Sequence, residues 1–358
     1  MNVDVLVVGQ GLAGTQVAWA LRGRGLRVLV VDAGHREAAS WVAAGVLNPV
    51  TGQRLVLSWQ ADQHLPFAKE TYRQQERWLG KSFLREMAIQ RVIRSESERT
   101  RWERRRLDSA YGSFLGPFYP PGSFGAIRDE PFGSCSILGA AVLDTKCFLQ
   151  SVRKRWMEEG ILREDRVEYG EVVLKQAGVQ WRDVRADRIV FCQGWAGRHH
   201  PEFGHLPFQW AKGEIVGLRV PHHGLDRVIN REKWVLPEDN ERVRVGSTFC
   251  WETLNDVPTS EAARDLVRAV RAMVTGSVVA EVIGHEAGVR PCSHDQRPYV
   301  GRSRKDERVW IANGFGAKGA LTTPLCARRL AAAMVGEGEL DPGEDVARVA
   351  RSLAGSVG

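Results

Sequence analysis

The chain has 358 residues, of which 43% are hydrophobic and 26% are charged, a composition typical of globular proteins. No apolar run reaches the roughly 18 residues that a membrane-spanning helix needs. We therefore expect no membrane span. Because the first predicted strand begins at Val3, we also expect no targeting peptide, and hence a cytoplasmic location. The net charge of +7 identifies no class of partner, and the six cysteines, which lack a C-x-x-C pair, argue against a zinc site or a redox disulfide.

The start of the chain holds its most specific pattern. Residues 3–8 form an apolar, β-branched run that predicts a buried strand, and the sequence Gly-Gln-Gly-Leu-Ala-Gly follows it directly. Residues 15–24 have the spacing of an amphipathic helix, and residues 27–31 predict a second strand that ends on Asp32. Strand, glycine turn, helix, strand and acid in this order predict a dinucleotide-binding site.

The residues of this turn have separate physical roles in the prediction. Gly9 permits the tight turn, Gly11 lets the backbone approach a pyrophosphate, and Gly14 allows the helix and the strand to pack closely. The N-terminus of the helix offers free N–H groups and the positive end of its dipole to phosphate. Asp32 is placed to accept hydrogen bonds from the hydroxyl groups of a ribose. These residues alone leave open whether the dinucleotide is NAD or FAD.

The rest of the chain predicts further α/β structure and one long loop. Residues 38–49 are mostly small. Residues 111–133 are rich in glycine, proline and aromatic residues, which predicts a long loop or an irregular edge that covers a site, and a core role for these aromatic residues stays equally open. The predicted strands are residues 166–169, 186–191, 208–220, 227–248 with internal turns, and 309–312, and the predicted helices are residues 55–78, 145–159, 260–275 and 320–335.

Two groups of polar residues have uninformative patterns. Residues 91–106 contain seven arginines and three glutamates, and we favour a solvated helical face there over a nucleic-acid patch. The histidine pairs at 199–200 and 222–223 are predicted in solvated loops, without the spacing or the carboxylate partners of a metal site. Neither group indicates a catalytic role.

The blocks at residues 9–32, 40–49, 186–197 and 287–319 together resemble the FAD-dependent amino-acid oxidase family, which includes D-amino-acid oxidase, glycine oxidase and sarcosine oxidase. The last block, with Gly-Val-Arg-Pro and then a glycine loop before a helix, is the most discriminating. The resemblance implies an α/β fold in which a Rossmann-like FAD-binding domain is interleaved with an antiparallel-sheet α+β substrate domain. It places the FAD-binding domain at residues 1–55, 140–205 and 284–358, and the substrate domain at residues 56–139 and 206–283.

The resemblance also implies site residues. The arginine of Gly-Val-Arg-Pro, Arg290, would pair with the substrate carboxylate, a role that suits a guanidinium fork. Asn48 would lie near the substrate, and Lys318 would stabilise the charge of the reduced flavin. Because Val289 stands where several members carry the cysteine that attaches the cofactor, we expect non-covalent FAD. The implied FAD-binding residues are Gly9, Gly11, Leu12, Ala13, Gly14, Asp32, Ala33, Ala43, Ala44, Gly45, Val167, Gly194, Gly314, Gly316, Ala317, Lys318 and Gly319.

The function implied by the resemblance is oxidation of the C–N bond of an amino acid or N-alkylated amino acid. Hydride would pass to flavin N5 without a protein base, the imine would hydrolyse, and oxygen or another acceptor would reoxidise the flavin. We expect a small-molecule amine or amino-acid substrate and no nucleic-acid partner. Three alternatives stay open: a 2-hydroxy acid oxidase, a flavin enzyme that removes a carboxymethyl group from a wobble uridine of tRNA, and a flavin-bound scaffold.

Overall fold

The computed structural model describes residues 1–34, 38–275 and 280–349. In these ranges the chain forms two large sheets, with helices packed mainly on the first of them. None of the described helices is both long and apolar enough to cross a membrane. The helices are α1 (Leu12–Arg22), α2 (Ala39–Val42), α3 (Ala61–Leu79), α4 (Glu96–Arg106), α5 (Thr145–Glu158), α6 (Ser260–Met273) and α7 (Gly319–Met334).

The first sheet is the parallel α/β part of the molecule. Its centre is β1 (Asn2–Val8), which pairs in parallel with β2 (Val28–Asp32) on one side and with β14 (Val184–Phe191) on the other, and α1 connects β1 to β2. The buried parts of these strands, Val5–Val8, Val28–Val31 and Ile189–Phe191, are continuous apolar runs, as expected where both faces of a sheet are covered. The eight strands are β1 (Asn2–Val8), β2 (Val28–Asp32), β11 (Leu162–Glu164), β12 (Val172–Lys175), β13 (Gly178–Trp181), β14 (Val184–Phe191), β20 (Tyr299–Arg302) and β21 (Val309–Asn313).

The strands of the second sheet are β7 (Ile89–Val92), β8 (Leu115–Tyr119), β9 (Ser134–Ile137), β15 (Phe208–Arg219), β16 (Val228–Asn230), β17 (Trp234–Pro237), β18 (Arg242–Gly246) and β19 (Glu281–Ser293). Their order is β19-β15-β18-β17-β16-β7-β9-β8, and all pairs are antiparallel except β7 with β16. Helix α6 packs against β15 and β18. Short strands complete the fold: β3 (Val46–Leu47), β6 (Leu84–Glu86) and β10 (Ala141–Leu143) form one sheet, and β4 (Val50–Thr51) pairs with β5 (Val56–Leu57).

A parallel sheet entered through a βαβ unit, beside an antiparallel sheet made of interleaved segments, confirms the predicted fold class. The strand Glu281–Ser293 crosses the predicted domain boundary at residue 284. It pairs with β15 from Phe208 to Arg219, so Arg290 belongs to the antiparallel sheet. The division into two domains stays a prediction.

Several local predictions were wrong. The strand predicted at residues 166–169 lies earlier, at Leu162–Glu164, where it pairs with the end of β2. The helix predicted from residue 55 begins at Ala61, because Val56–Leu57 pairs with Val50–Thr51 in a short hairpin. For residues 111–133, predicted as a long loop or an irregular edge, the structure agrees with the second alternative: β8 is an edge strand, and its pairing with β9 contains a register shift.

The polar groups also differ from their predictions. His200 is buried, not solvated, and its Nδ1 accepts hydrogen bonds from the backbone N–H groups of Glu202 and Phe203. Burial lowers the pKa of His200 to about 4. Among the predicted solvated charges of residues 91–106, Arg91 and Glu98 are in fact buried and form an ion pair of 2.6 Å.

Candidate functional site

Both large sheets contribute to one cavity of about 660 Å³. Its lining runs from the N-terminus of α1 and the end of β2, past residues 38–48, to the face of the antiparallel sheet. This volume lies within the range of cofactor and small-molecule sites. The cavity therefore joins the part that predicts a dinucleotide site to the strand that carries Arg290.

The glycine turn brings backbone close to backbone. Gly9 has φ +100°, and a Cβ there would lie 2.5 Å from the carbonyl oxygen of Cys192. A Cβ on Gly14 would lie 1.8 Å from the carbonyl oxygen of Gly9, so Gly14 serves helix–strand packing and does not line the cavity. Gly11 lines it directly. A side chain at Gly9 or at Gly14 would therefore push apart backbone segments that are in contact here.

The N-terminus of α1 faces the cavity without an acidic group. Gly11 is its N-cap, no side chain caps it from that position, and no acidic residue occupies the first turn. The hydroxyl of Ser40 accepts a hydrogen bond of 3.1 Å from Leu12 N. The positive end of the helix dipole therefore faces the space where an anion would bind.

Asp32 lies at the carboxyl end of β2, at the edge of the same cavity. Its carboxylate accepts hydrogen bonds from the backbone N–H groups of Gln10 (2.7 Å) and Gly34 (2.9 Å). Arg153, from α5, pairs with it at 2.8 Å. These contacts fix the carboxylate in position, while a carboxylate keeps further acceptor capacity for hydroxyl groups.

The turn at residues 43–45 is fixed from behind. Gly45 has φ +71°, and a Cβ there would lie 1.9 Å from the carbonyl oxygen of Leu143. Arg244, from β18, donates to the carbonyl oxygens of Val42 (2.7 Å) and Ala43 (3.3 Å). The antiparallel sheet thus holds this turn against the cavity.

The C-terminal glycine loop closes the cavity beside α1. A 3-10 turn at Gly316–Lys318 leads directly into α7. Gly314 packs against the ring of Tyr299 and does not line the cavity. Lys318 does not line it either, and burial lowers the pKa of its ammonium group. The described residues provide no carboxylate within ion-pair distance of Lys318.

Arg290 is the charged group at the other end of the cavity. Its guanidinium lies over Gly213 of the neighbouring strand, where a Cβ would be 2.1 Å from the guanidinium carbon. One Nη donates to the carbonyl oxygen of Thr248 at 3.3 Å, and the ring of Phe249 lies 4.5 Å away. Burial lowers the pKa of Arg290, and the described residues offer it no carboxylate partner.

The structure tests the implied cofactor by its fit to these residues. An FAD molecule needs donors for its pyrophosphate, an acceptor for its ribose and a surface of small residues for its flat ring. The cavity has the N-terminus of α1, whose first turn has no acidic residue, the fixed carboxylate of Asp32 and the turn at residues 43–45. The residues present fit the group.

Most of the implied site residues line the cavity, and three do not. The three are Gly14, Gly314 and Lys318. The implied residues that line the cavity are Gly9, Gly11, Leu12, Ala13, Asp32, Ala33, Ala43, Ala44, Gly45, Asn48, Val167, Gly194, Arg290, Gly316, Ala317 and Gly319.

Sequence reasoning missed the rest of the lining, above all on the antiparallel sheet. Ile89, Val228, Asn230 and Trp234 line the cavity from β7, β16 and β17. No motif identifies them, since their positions depend on how strands distant in sequence pair. Sequence reasoning also missed Arg153, which pairs with Asp32 from 121 residues away along the chain and has no local motif.

Comparison with known proteins gives a family and a fold. Residues 4–333 match the family model described as FAD dependent oxidoreductase. Glycine oxidase of Pseudomonas aeruginosa is 24% identical and is matched over 96% of this chain and 98% of its own length. The crystal structure of iminodiacetate oxidase from Chelativorans sp. has a TM-score of 0.78 at 24% identity, covering 95% of this chain and 97% of that one.

A third relative is bifunctional. The tRNA 5-methylaminomethyl-2-thiouridine biosynthesis protein of Azoarcus sp. is 25% identical over 98% of this chain, which spans 61% of that protein. At these identities the solved structure shows the fold alone.

Proposed function

The chain belongs to the FAD-dependent oxidoreductase family, and on that premise we propose that it oxidises the C–N bond of an amino acid or N-alkylated amino acid. The half-buried guanidinium of Arg290 carries this proposal. A cation that is partly removed from water is costly unless a counter-charge neutralises it, and the described residues provide none. The α-carboxylate of an amino acid supplies that charge in the bidentate geometry that arginine favours.

The cofactor would be held mainly by backbone and small residues. Gly11 and the N-terminus of α1 would bind the pyrophosphate, Asp32 the adenosine ribose, and the turn at residues 43–45 the ring. Each of these contacts is non-covalent. When bound, FAD supplies the acceptor for two electrons and the α-hydrogen of the substrate, and the imine that leaves hydrolyses in water.

The role of the chain in this reaction is binding and orientation. Arg290 is the only titratable side chain that the antiparallel sheet contributes to the described cavity lining. A general base from this sheet is therefore lacking among the described residues, and a substrate that binds as the free amine needs none. Arg290 would fix the α-carbon by holding the carboxylate, while Phe249 would exclude water from one side of the pair.

The substrates in the names of two relatives share a chemical group. Glycine and iminodiacetate each carry a nitrogen attached to a carboxymethyl group. Both therefore present a carboxylate that a guanidinium such as that of Arg290 can bind in bidentate geometry. This agreement supports an amino-acid substrate over a 2-hydroxy acid for this chain.

We further propose a cytoplasmic location, with oxygen or another small acceptor reoxidising the flavin. All six cysteines are unpaired in the structure. Free thiols at this number are typical of a reducing compartment.

Anaerobic reduction of the holoenzyme tests the proposed reaction. Glycine, N-methylglycine, iminodiacetate and longer amino acids are mixed with the enzyme, and loss of flavin absorbance is followed by stopped flow. We expect at least one amino acid to bleach the flavin and to release an oxo acid. Bleaching by 2-hydroxy acids alone would overturn the proposal, as would the absence of bleaching by every amine.

A further inference from the structure

One wall of the cavity contains a polar group that the proposed reaction does not use. Asn230 ends β16 and lines the cavity beside Ile89, Val228 and Trp234, whose side chains are hydrophobic. Trp234 lies directly across from Asn230 in the strand pairing. A mostly apolar wall with one fixed polar group is the arrangement by which binding sites select the position of a ligand atom.

The orientation of the Asn230 amide is set by a buried arginine. Arg91 is the partner of Asn230 in the parallel pair of β7 and β16, and one of its Nη groups lies 2.5 Å from Asn230 Oδ1. Because a guanidinium has only donors, the amide must present its oxygen to Arg91 and its NH₂ group to the other side. The direction of the amide therefore follows from chemistry as well as from coordinates.

Arg91 is itself held rigidly. Its Nε and its second Nη donate to one carboxylate oxygen of Glu98 at 3.0 and 2.6 Å, and both side chains are buried. The first Nη also donates to the carbonyl oxygen of Arg231. Glu98 comes from α4, so the arginine-rich segment contributes to the site through the one acid that it buries. Arg91 acts here as a positioning residue for Asn230.

The NH₂ group of Asn230 has no acceptor among the residues that the structure describes. We infer that it donates a hydrogen bond to the substrate, and that the preferred substrate is an amino acid with a largely apolar arm that ends in an acceptor, such as a carboxamide or a carboxylate. The arm is either the side chain or the N-substituent. This inference rests on the proposed function, because it places the amino-acid carboxylate on Arg290.

The strand order gives the length scale of that arm. The guanidinium of Arg290 lies over β15, and β16 is three strands further along the sheet. At about 4.8 Å per strand the separation is roughly 14 Å. A free glycine molecule is far shorter than this, so a ligand that reaches both groups carries an extended arm.

Binding measurements with ligands that cannot react test the subsite. Saturated carboxylates of increasing length, each tipped by a carboxamide, a methyl group or an ammonium group, are titrated into the holoenzyme by calorimetry. At the matching length we expect the carboxamide-tipped ligand to bind about 10-fold more tightly than the methyl-tipped one, because only the carboxamide gives the NH₂ group of Asn230 an acceptor. Equal affinity for the two tips at every length would overturn the inference.

Asn230→Asp is the informative variant, because it keeps an oxygen for Arg91 and replaces only the NH₂ group. We expect it to lose the preference for the carboxamide tip and to bind the ammonium tip more tightly than the wild type does. Asn230→Leu should also lose the preference for the carboxamide tip, but it should not bind the ammonium tip more tightly than the wild type does. The matched control Ile89→Val, on the same wall, should shift the affinities of all tips by a similar factor.

The outcomes separate this inference from the proposed function. If amino acids bleach the flavin but the tip never affects affinity, the subsite is wrong and the proposed function stands. If no amine bleaches the flavin but Asn230→Asp still exchanges the tip preference, the subsite is right and the proposed reaction is wrong. A carboxamide preference that survives in Asn230→Asp would overturn the subsite.

Discussion

The two ends of the cavity are built by different means. At the dinucleotide end, backbone groups and small residues from neighbouring positions in sequence, such as Gly9 and Gly11, determine the shape. At the end that we propose for the substrate, single side chains on separate strands, such as Arg290 and Asn230, supply the polar groups. We therefore expect the first end to tolerate few side chains at its glycines, and one substitution at the second end to change which ligand binds.

The largest effect is expected at the substrate end. Arg290→Met removes the only described cation of the antiparallel sheet that faces the cavity, and we expect kcat/KM for an amino acid to fall about 10³-fold. The flavin content should stay that of the wild type, because Arg290 lies on the other sheet from the glycine turn. Arg290→Lys should recover part of the loss. Unchanged steady-state kinetics in Arg290→Met would contradict the assigned role.

The next effect concerns the dinucleotide end. Gly9→Ala places a Cβ 2.5 Å from the Cys192 carbonyl oxygen at a φ of +100°, and we expect it to lower the free energy of unfolding by about 3 kcal/mol. Gly25→Ala is the matched control, since Gly25 also has positive φ but nothing within 4 Å of the added Cβ. That control should cost only about 1 kcal/mol in urea denaturation. If both variants lost the same free energy of unfolding, the close approach of Gly9 to the Cys192 carbonyl oxygen would be unimportant for stability.

Low pH should reduce the free energy of unfolding through protonation of His200. Its pKa is about 4 in the folded chain against 6.5 for the free side chain, so the unfolded state binds the extra proton first as pH falls. Stability is therefore complete above pH 6.5 and declines toward pH 4. At pH 5 we expect a loss of about 2 kcal/mol from this residue.

The variant His200→Asn isolates the contribution of His200 to the pH dependence of stability. Its amide oxygen can accept hydrogen bonds from the N–H groups of Glu202 and Phe203, and the amide does not titrate in this range. The measurement is urea denaturation of wild type and variant at pH 7 and pH 5. The wild type should lose more stability between the two than the variant does. Parallel losses would show that His200 is not buried as a neutral group.

The sequence predicts these two ends unequally, for a physical reason. A tight turn and a close helix–strand contact require glycine at fixed local spacing, so Gly9 and Gly14 are recognisable from the amino-acid pattern alone. Arg290 was predictable only through the Gly-Val-Arg-Pro motif. Asn230 was not predictable, because its place in the cavity depends on the parallel pairing of β7 with β16.

The sequence pattern also failed to predict which charged residues of the segment at residues 91–106 are buried. The segment at residues 91–106 has a charge pattern typical of a solvated helix, and Arg104 and Arg106 are indeed exposed. Arg91 and Glu98 are buried because β7 is an inner strand and α4 packs beside β8. The composition of such a segment predicts its average exposure, and it does not identify single buried residues such as Arg91 and Glu98.

A smaller effect would test how closely the substrate end is packed. Gly213→Ala places a Cβ 2.1 Å from the guanidinium carbon of Arg290. Because this group is the end of a flexible side chain, the arginine should move and the fold should persist. We expect KM to rise about 10-fold with little change in the free energy of unfolding, which corresponds to roughly 1.4 kcal/mol of binding. An unaltered KM would show that the carboxylate is not bound there.

The smallest effect is expected at the exposed end of α4. The double variant Arg104→Glu, Arg106→Glu reverses two exposed charges, far in the helix from the buried Glu98. If the substrate is a small amino acid, its flavin reduction rate should be unchanged within about twofold, since exposed charges are screened within roughly 10 Å at ordinary salt. An enzyme that acts on tRNA through this face would instead lose affinity for tRNA in a salt-dependent way, because each lost phosphate contact lowers the salt slope. Salt-dependent tRNA binding by the wild type that the double variant abolishes would favour the tRNA substrate and contradict the small-molecule one.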